Sequence, residues 1–183
     1  MELELFRASE SGDLNRVKKL LERGANPNIG SYDDFPLYQA TIHQHLEIIK
    51  VLLDHGADPN FISKRGGTCL VSASTTGYLE IVKILLAHGA DPNIGDKFGQ
   101  TPLRWASING HLEVVKVLLI NGANPDIADK FKMTPLQSAI YGDQRILKIL
   151  WDYFPSLQNL SMRSIRGHRI NILEVSQNTE LVF

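Results

Sequence analysis

Six histidines and one cysteine are the side chains of this 183-residue chain best suited to act as metal ligands, general bases or a nucleophile. His43 and His45 form an H-x-H pair, but it lacks a convincing carboxylate or cysteine partner nearby in sequence, so no metal site is expected. His45 and His111 each stand directly before a Leu-Glu pair. His55 and His88 follow apolar runs, where a hydrogen-bonding or cationic side chain suits a helix C-terminus. His168 lies in the C-terminal segment. Cys69 follows Thr68 at an expected helix start, and filling that start as a small residue weighs against acting as a reactive thiol. No Ser/His/Asp or Cys/His constellation with a nucleophile elbow is present, and Gly66-Gly67 is a turn, not a phosphate loop. The expectation is no enzyme and no cofactor.

Composition narrows the class. The chain is 43% hydrophobic and 21% charged, as globular domains are, and 19 Lys plus Arg nearly balance 20 Asp plus Glu. A net charge of −1 supplies no global attraction to nucleic acid or to an anionic membrane. A single cysteine cannot form an internal disulfide, which fits a reducing compartment. Met1-Glu2-Leu3-Glu4 lacks the basic region and apolar run of a signal peptide, and the other apolar runs are short. A soluble monomer is expected in the cytoplasm, with the nucleus or a host-cell cytosol also compatible.

The elements that must position any site come from a repeat. Gly-Ala pairs at 24–25, 56–57, 89–90 and 122–123 are spaced by 32, 33 and 33 residues. Leu37, Leu70, Leu103 and Leu136 recur every 33, as do Ala40, Ala73, Ala106 and Ala139. The fullest copy reads GQTPLRWASINGHLEVVKVLLINGANPD, from Gly99 to Asp126. Within it a capping Thr precedes a Pro at the first helical position. A short helix with small residues follows, and Gly77 or Gly110 turns the chain into a second helix. That helix reads LEIIKVLL, LEIVKILL or LEVVKVLL, with Lys50, Lys83 and Lys116 outward. Gly56, Gly89 and Gly122 suit a left-handed helix stop, before turns at Asp58-Pro59-Asn60, Asp91-Pro92-Asn93 and Asn124-Pro125-Asp126.

A 33-residue period with a T-P-L-H-x-A-like motif resembles the ankyrin-repeat family over residues 1–155. The resemblance implies an all-α solenoid of stacked helix-turn-helix units with β-hairpin finger loops. Five repeats are expected, at 1–29, 30–61, 62–94, 95–127 and 128–155. The motif's His is replaced by Tyr38, Val71, Arg104 and Gln137, and Thr-Pro becomes Phe35-Pro36 or Thr68-Cys69. His45 and His111 hold the family's structural Gly-His-Leu-Glu position.

The resemblance further implies that partners contact finger tips and late first-helix positions. Mapped here, these are Tyr32, Lys64, Arg65, Lys97, Phe98, Lys130 and Phe131 at the tips, with Met133 close by, and Ile108 and Tyr141 late in first helices beside Trp105. Lys64-Arg65, Lys97-Phe98 and Lys130-Phe131 repeat a cation followed by a flat side chain at 33-residue intervals. Such a row fits an acidic protein or peptide segment with apolar anchors. Packing of the rings between fingers is the alternative, and a single-stranded oligonucleotide is a minor one. Asn28, Asn60 and Asn93 match the hairpin asparagine that intracellular hydroxylases modify in this family; a hydrogen-bonding turn role is the other reading.

After Pro155 the period ends. Leu157, Leu160, Ser164 and Ile165 share a helical face, as a capping helix for the stack would. Residues 156–166 also resemble the first helix of the SOCS box of ankyrin-and-SOCS-box proteins. That resemblance implies binding of elongins B and C through Leu157, Leu160, Ser161 and Ile165, and hence a substrate receptor for a cullin ubiquitin ligase. Ser161 stands where Cys is usual, and no Leu-Pro-x-Pro segment follows before Phe183.

Overall fold

The computed structural model describes residues 1–29, 35–63, 66–140 and 143–153. Among the described residues ten helices form five packed pairs: α1 (Glu2–Ser11) with α2 (Leu14–Glu22), α3 (Pro36–Ile42) with α4 (Leu46–Asp54), α5 (Cys69–Thr76) with α6 (Leu79–Ala87), α7 (Pro102–Ile108) with α8 (Leu112–Ile120), and α9 (Pro135–Ala139) with α10 (Gln144–Tyr153). First helices pack on first helices and second on second, giving two layers. Leu37, Leu70, Leu103 and Leu136 are buried at the heart of each unit, and Ala40, Ala73, Ala106 and Ala139 are fully enclosed where first helices meet. Ile49, Val82 and Val115 line the second layer, with Leu52, Leu85 and Leu118 one turn on. Each such leucine contributes about 1.5–3 kcal/mol by leaving water.

Local chemistry sets the helix starts. Thr68, Thr101 and Thr134 accept hydrogen bonds from the N–H groups of Val71, Arg104 and Gln137, and Thr134 with Gln137 completes a capping box. The second unit has no such cap. There Phe35 is buried instead, its ring 4.5 Å from that of Phe61 and tilted by 58°. Gly77 ends α5 in the left-handed conformation. It has no room for a Cβ, which would lie 2.6 Å from His111 Cε1.

The expected β-hairpin fingers take a reduced form: among the described residues there is no strand. Among the described residues three fingers are closed at the base by a main-chain bond, Ser63 N–H to Gly67 O, Asp96 N–H to Gln100 O and Asp129 N–H to Met133 O, all at 3.0 Å.

Candidate functional site

Asp96 and Asp129 organise the two fingers that carry the Lys-Phe pairs. Asp96 Oδ1 accepts from the N–H groups of Phe98 (2.8 Å) and Gln100 (3.0 Å), while its carbonyl accepts from Gly99 N–H (2.8 Å). Asp129 repeats the pattern with Phe131 (2.8 Å), Met133 (2.9 Å) and Lys132 (2.9 Å). Aspartate at the first turn position and a left-handed residue at the fourth are what such a turn requires. Gly99 supplies the latter in one finger and Lys132, at φ 63°, in the other. Lys130 N–H then donates to Phe98 O at 2.8 Å, joining finger to finger.

The fingers therefore hold the Phe98 and Phe131 rings with centroids 6.1 Å apart and planes at 35°. The pair packs partly on itself, yet Phe98 remains 42% and Phe131 66% exposed. Lys97 Nζ lies 5.2 Å from the Phe98 centroid, within cation–π reach, and Lys130 is exposed beside Phe131. Met133 is half-buried below the tips.

Next to this face lies a shallow groove of about 240 Å³, lined by Tyr38, Val71, Thr75, Asp96 and Trp105 among others. Trp105 is half-buried, and its indole N–H donates to Asp96 Oδ2 at 3.2 Å. The ring is thereby fixed to the base of the finger. Ile108 is exposed further along α7, and Asn109 donates to Thr75 O at 2.8 Å.

Beneath the tips is a buried ion pair. Arg104 Nη2 lies 3.2 Å from Asp129 Oδ2. Burial pushes the Asp129 carboxyl up, but the Met133 and Phe131 amides and the Arg104 charge outweigh it and hold the group below its usual range. The Gln100 amide, oriented by its partners, donates to Asp96 Oδ2 (3.2 Å) and accepts from Arg104 Nη1 (3.0 Å).

Each of the five described histidines bonds a main-chain carbonyl, and His168 lies outside the described residues. His45 and His111 reach back to Glu10 O and Thr75 O, each at 3.1 Å, on the preceding unit. His55 and His88 bond Val51 O (2.8 Å) and Ile84 O (2.9 Å) near the ends of their helices. His43 stacks on His45 at 6.0 Å and bonds Gln39 O. Cys69 is buried. Among the described residues no three His, Cys, Asp or Glu side chains are grouped to hold a metal ion.

Asn28, Asn60 and Asn93 form a ladder between turns. Each amide donates to a glycine carbonyl of the next unit, Gly56 (2.9 Å), Gly89 (3.0 Å) and Gly122 (3.1 Å). Each side-chain oxygen accepts from the following amide, Asp58, Asp91 and Asn124, at 2.7 Å.

Of the residues singled out from the sequence, Lys97, Phe98, Lys130, Phe131 and Met133 fall on one finger face, with Trp105 and Ile108 on the adjoining helix. Tyr32, Lys64, Arg65 and Tyr141, and the tail residues Leu157, Leu160, Ser161 and Ile165, lie outside the described residues. Sequence reasoning noted Arg104 only as a replacement for the motif's His and did not single out Asp96 or Asp129. The signal was present: Asp-Lys-Phe occurs twice 33 residues apart, and an Arg in a buried motif position must find an acid.

A family model described as ankyrin repeats (3 copies) matches residues 5–96 and 89–159. No curated protein matches the chain. Among the described residues no helix is long and apolar enough to cross a membrane.

Proposed function

This chain belongs to the ankyrin-repeat family, whose stacks are generally protein-interaction modules, and we propose that it is a non-enzymatic one that holds an acidic partner segment carrying apolar anchors. One observation carries the reading: two neighbouring phenylalanines, one 42% and the other 66% exposed, sit on hydrogen-bonded turns, each beside an exposed lysine. An exposed ring contributes little to folding, and a contiguous apolar patch rimmed by charge is how interaction surfaces are built. The Phe98–Phe131 pair is the apolar anchor point, Lys97 and Lys130 select acidic flanks, and the Trp105 groove takes a further side chain from the same segment. Aromatic anchors dominate such interfaces energetically, whereas exposed charges chiefly govern encounter and partner choice.

Selection of a random peptide library on the full chain tests this. Enriched peptides are expected to combine Asp or Glu with Phe, Leu or Trp, and to bind more weakly at high salt. Enrichment of basic or wholly polar peptides would overturn the proposal. Tight, steeply salt-dependent binding of single-stranded oligonucleotide in place of peptide would do the same.

A further inference from the structure

We infer that Arg104 and Asp129 are positioning residues that lock the two Phe-bearing fingers into one rigid unit, so that Phe98 and Phe131 meet a partner as a single surface. The inference rests on the finger-binding reading for its functional meaning, while its structural content stands separately. Arg104 springs from the unit that bears Phe98, and Asp129 is the turn aspartate of the finger that bears Phe131. Their ion pair at 3.2 Å therefore crosses the boundary between repeats.

On one side Gln100 relays Arg104 to Asp96, the aspartate that shapes the Phe98 finger and anchors the Trp105 indole. On the other, Asp129 uses Oδ1 for the amides of its own finger, which leaves Oδ2 for the arginine. Five side chains, Trp105, Asp96, Gln100, Arg104 and Asp129, thus run in sequence from groove to second finger.

Burial makes this chain of contacts decisive. Both Arg104 and Asp129 are enclosed, so in the closed structure water compensates neither charge. Arg104 Nε and Asp129 Oδ2 have no well-aligned hydrogen bond, so the ion pair itself must supply their compensation. An ordinary buried pair would reinforce the fold as a whole. In this one Asp129 immediately precedes Lys130, whose N–H to Phe98 O bond is the main-chain link between the two tips. Loss of the pair is expected to free the fingers before the helices.

Amide hydrogen exchange on the full chain tests it, with Lys130 as reporter of finger linkage and Val82, bonded to Tyr78 O within the second layer, as reporter of the stack. Asp129→Asn keeps acceptors for the Phe131 and Met133 amides and removes only the charge that faces Arg104. Arg104→Met is the second variant: it leaves no orphaned cation, and the Asp129 carboxylate it bares keeps the Phe131 and Met133 amides, so it tests the pair from the other side if Asp129→Asn does not fold. In either, Lys130 protection is expected to fall about tenfold while Val82 changes much less, with weakened Phe98–Phe131 ring–ring NOEs. A parallel fall at both amides, or no change at Lys130, would overturn the inference. A peptide from the library selection separates the two claims. If Phe98→Ala/Phe131→Ala leaves its binding intact, the binding reading fails, whatever the exchange result.

Discussion

Alanine at Gly77 and at Gly110 should cost the stack different amounts, although the two glycines occupy the same place in successive units. Both adopt a left-handed backbone, φ 77° and 75°. An L-residue there costs about 1–2 kcal/mol through contact of its Cβ with the neighbouring carbonyl. At Gly110 nothing lies within 4 Å of the new methyl group, so Gly110→Ala should lose only that backbone cost, about 1–2 kcal/mol. At Gly77 the methyl would lie 2.6 Å from both His111 Cε1 and Nδ1. The imidazole must swing away and surrender its Nε2–H bond to Thr75 O, now 3.1 Å, adding about 0.5–1.5 kcal/mol. Gly77→Ala should therefore lose about 1.5–3.5 kcal/mol, which exceeds the Gly110→Ala loss by the cost of the surrendered bond. Urea denaturation followed by circular dichroism measures both, and the double variant Gly77→Ala/His111→Ala completes a cycle. Removing the ring removes the clash, so the two substitutions should be less than additive by about 1 kcal/mol. Equal losses at the two glycines, or strict additivity, would refute the claim that His111 is an inter-repeat strut.

Other consequences follow from named contacts. Asn60→Ala removes both bonds to the next unit, at 2.7 and 3.0 Å, and on a half-exposed surface should cost about 1–2 kcal/mol in urea denaturation. Asp129 binds its proton less readily folded than unfolded, so its stabilisation is complete above the ordinary carboxylate range, about 4, and is lost as pH falls below that range through the lower folded value. Melting temperature should thus decline more steeply with acid in the natural chain than in Asp129→Asn. Cys69 is fully buried where α5 begins, so a thiol reagent should label it only as the protein unfolds; fast stoichiometric labelling in native buffer would contradict this burial.

Legibility followed periodicity. Leu103 or Ala106 could be assigned to the core because its equivalents recur at one spacing, and burial is what recurrence records. The helix caps at Thr101 and Thr134 were readable for a similar reason, since Thr before Pro has a local physical meaning. Non-local contacts were harder. Phe35 takes over the start of α3 by packing on Phe61, 26 positions further on, and no local pattern announces that. The hairpin asparagines could be placed in turns, but their ladder emerges only when units are stacked. At the fingers the Lys-Phe repetition pointed to the exposed rings, whereas the role of the aspartates before them lies in amide contacts within each turn that the repetition alone does not show. The Arg104–Asp129 pair needed the geometry of two adjoining repeats, because its partners belong to different units.

The most direct test of the central claim compares partner capture by the intact chain and by Phe98→Ala/Phe131→Ala in lysate, read by mass spectrometry, with circular dichroism verifying the fold of each. Both rings are exposed, so the variant should remain folded. The account predicts that a partner bearing an acidic, apolar segment is captured by the intact chain and lost from the variant. Retention of every partner by the folded variant would contradict it and make the aromatic pair a packing feature of the fingers.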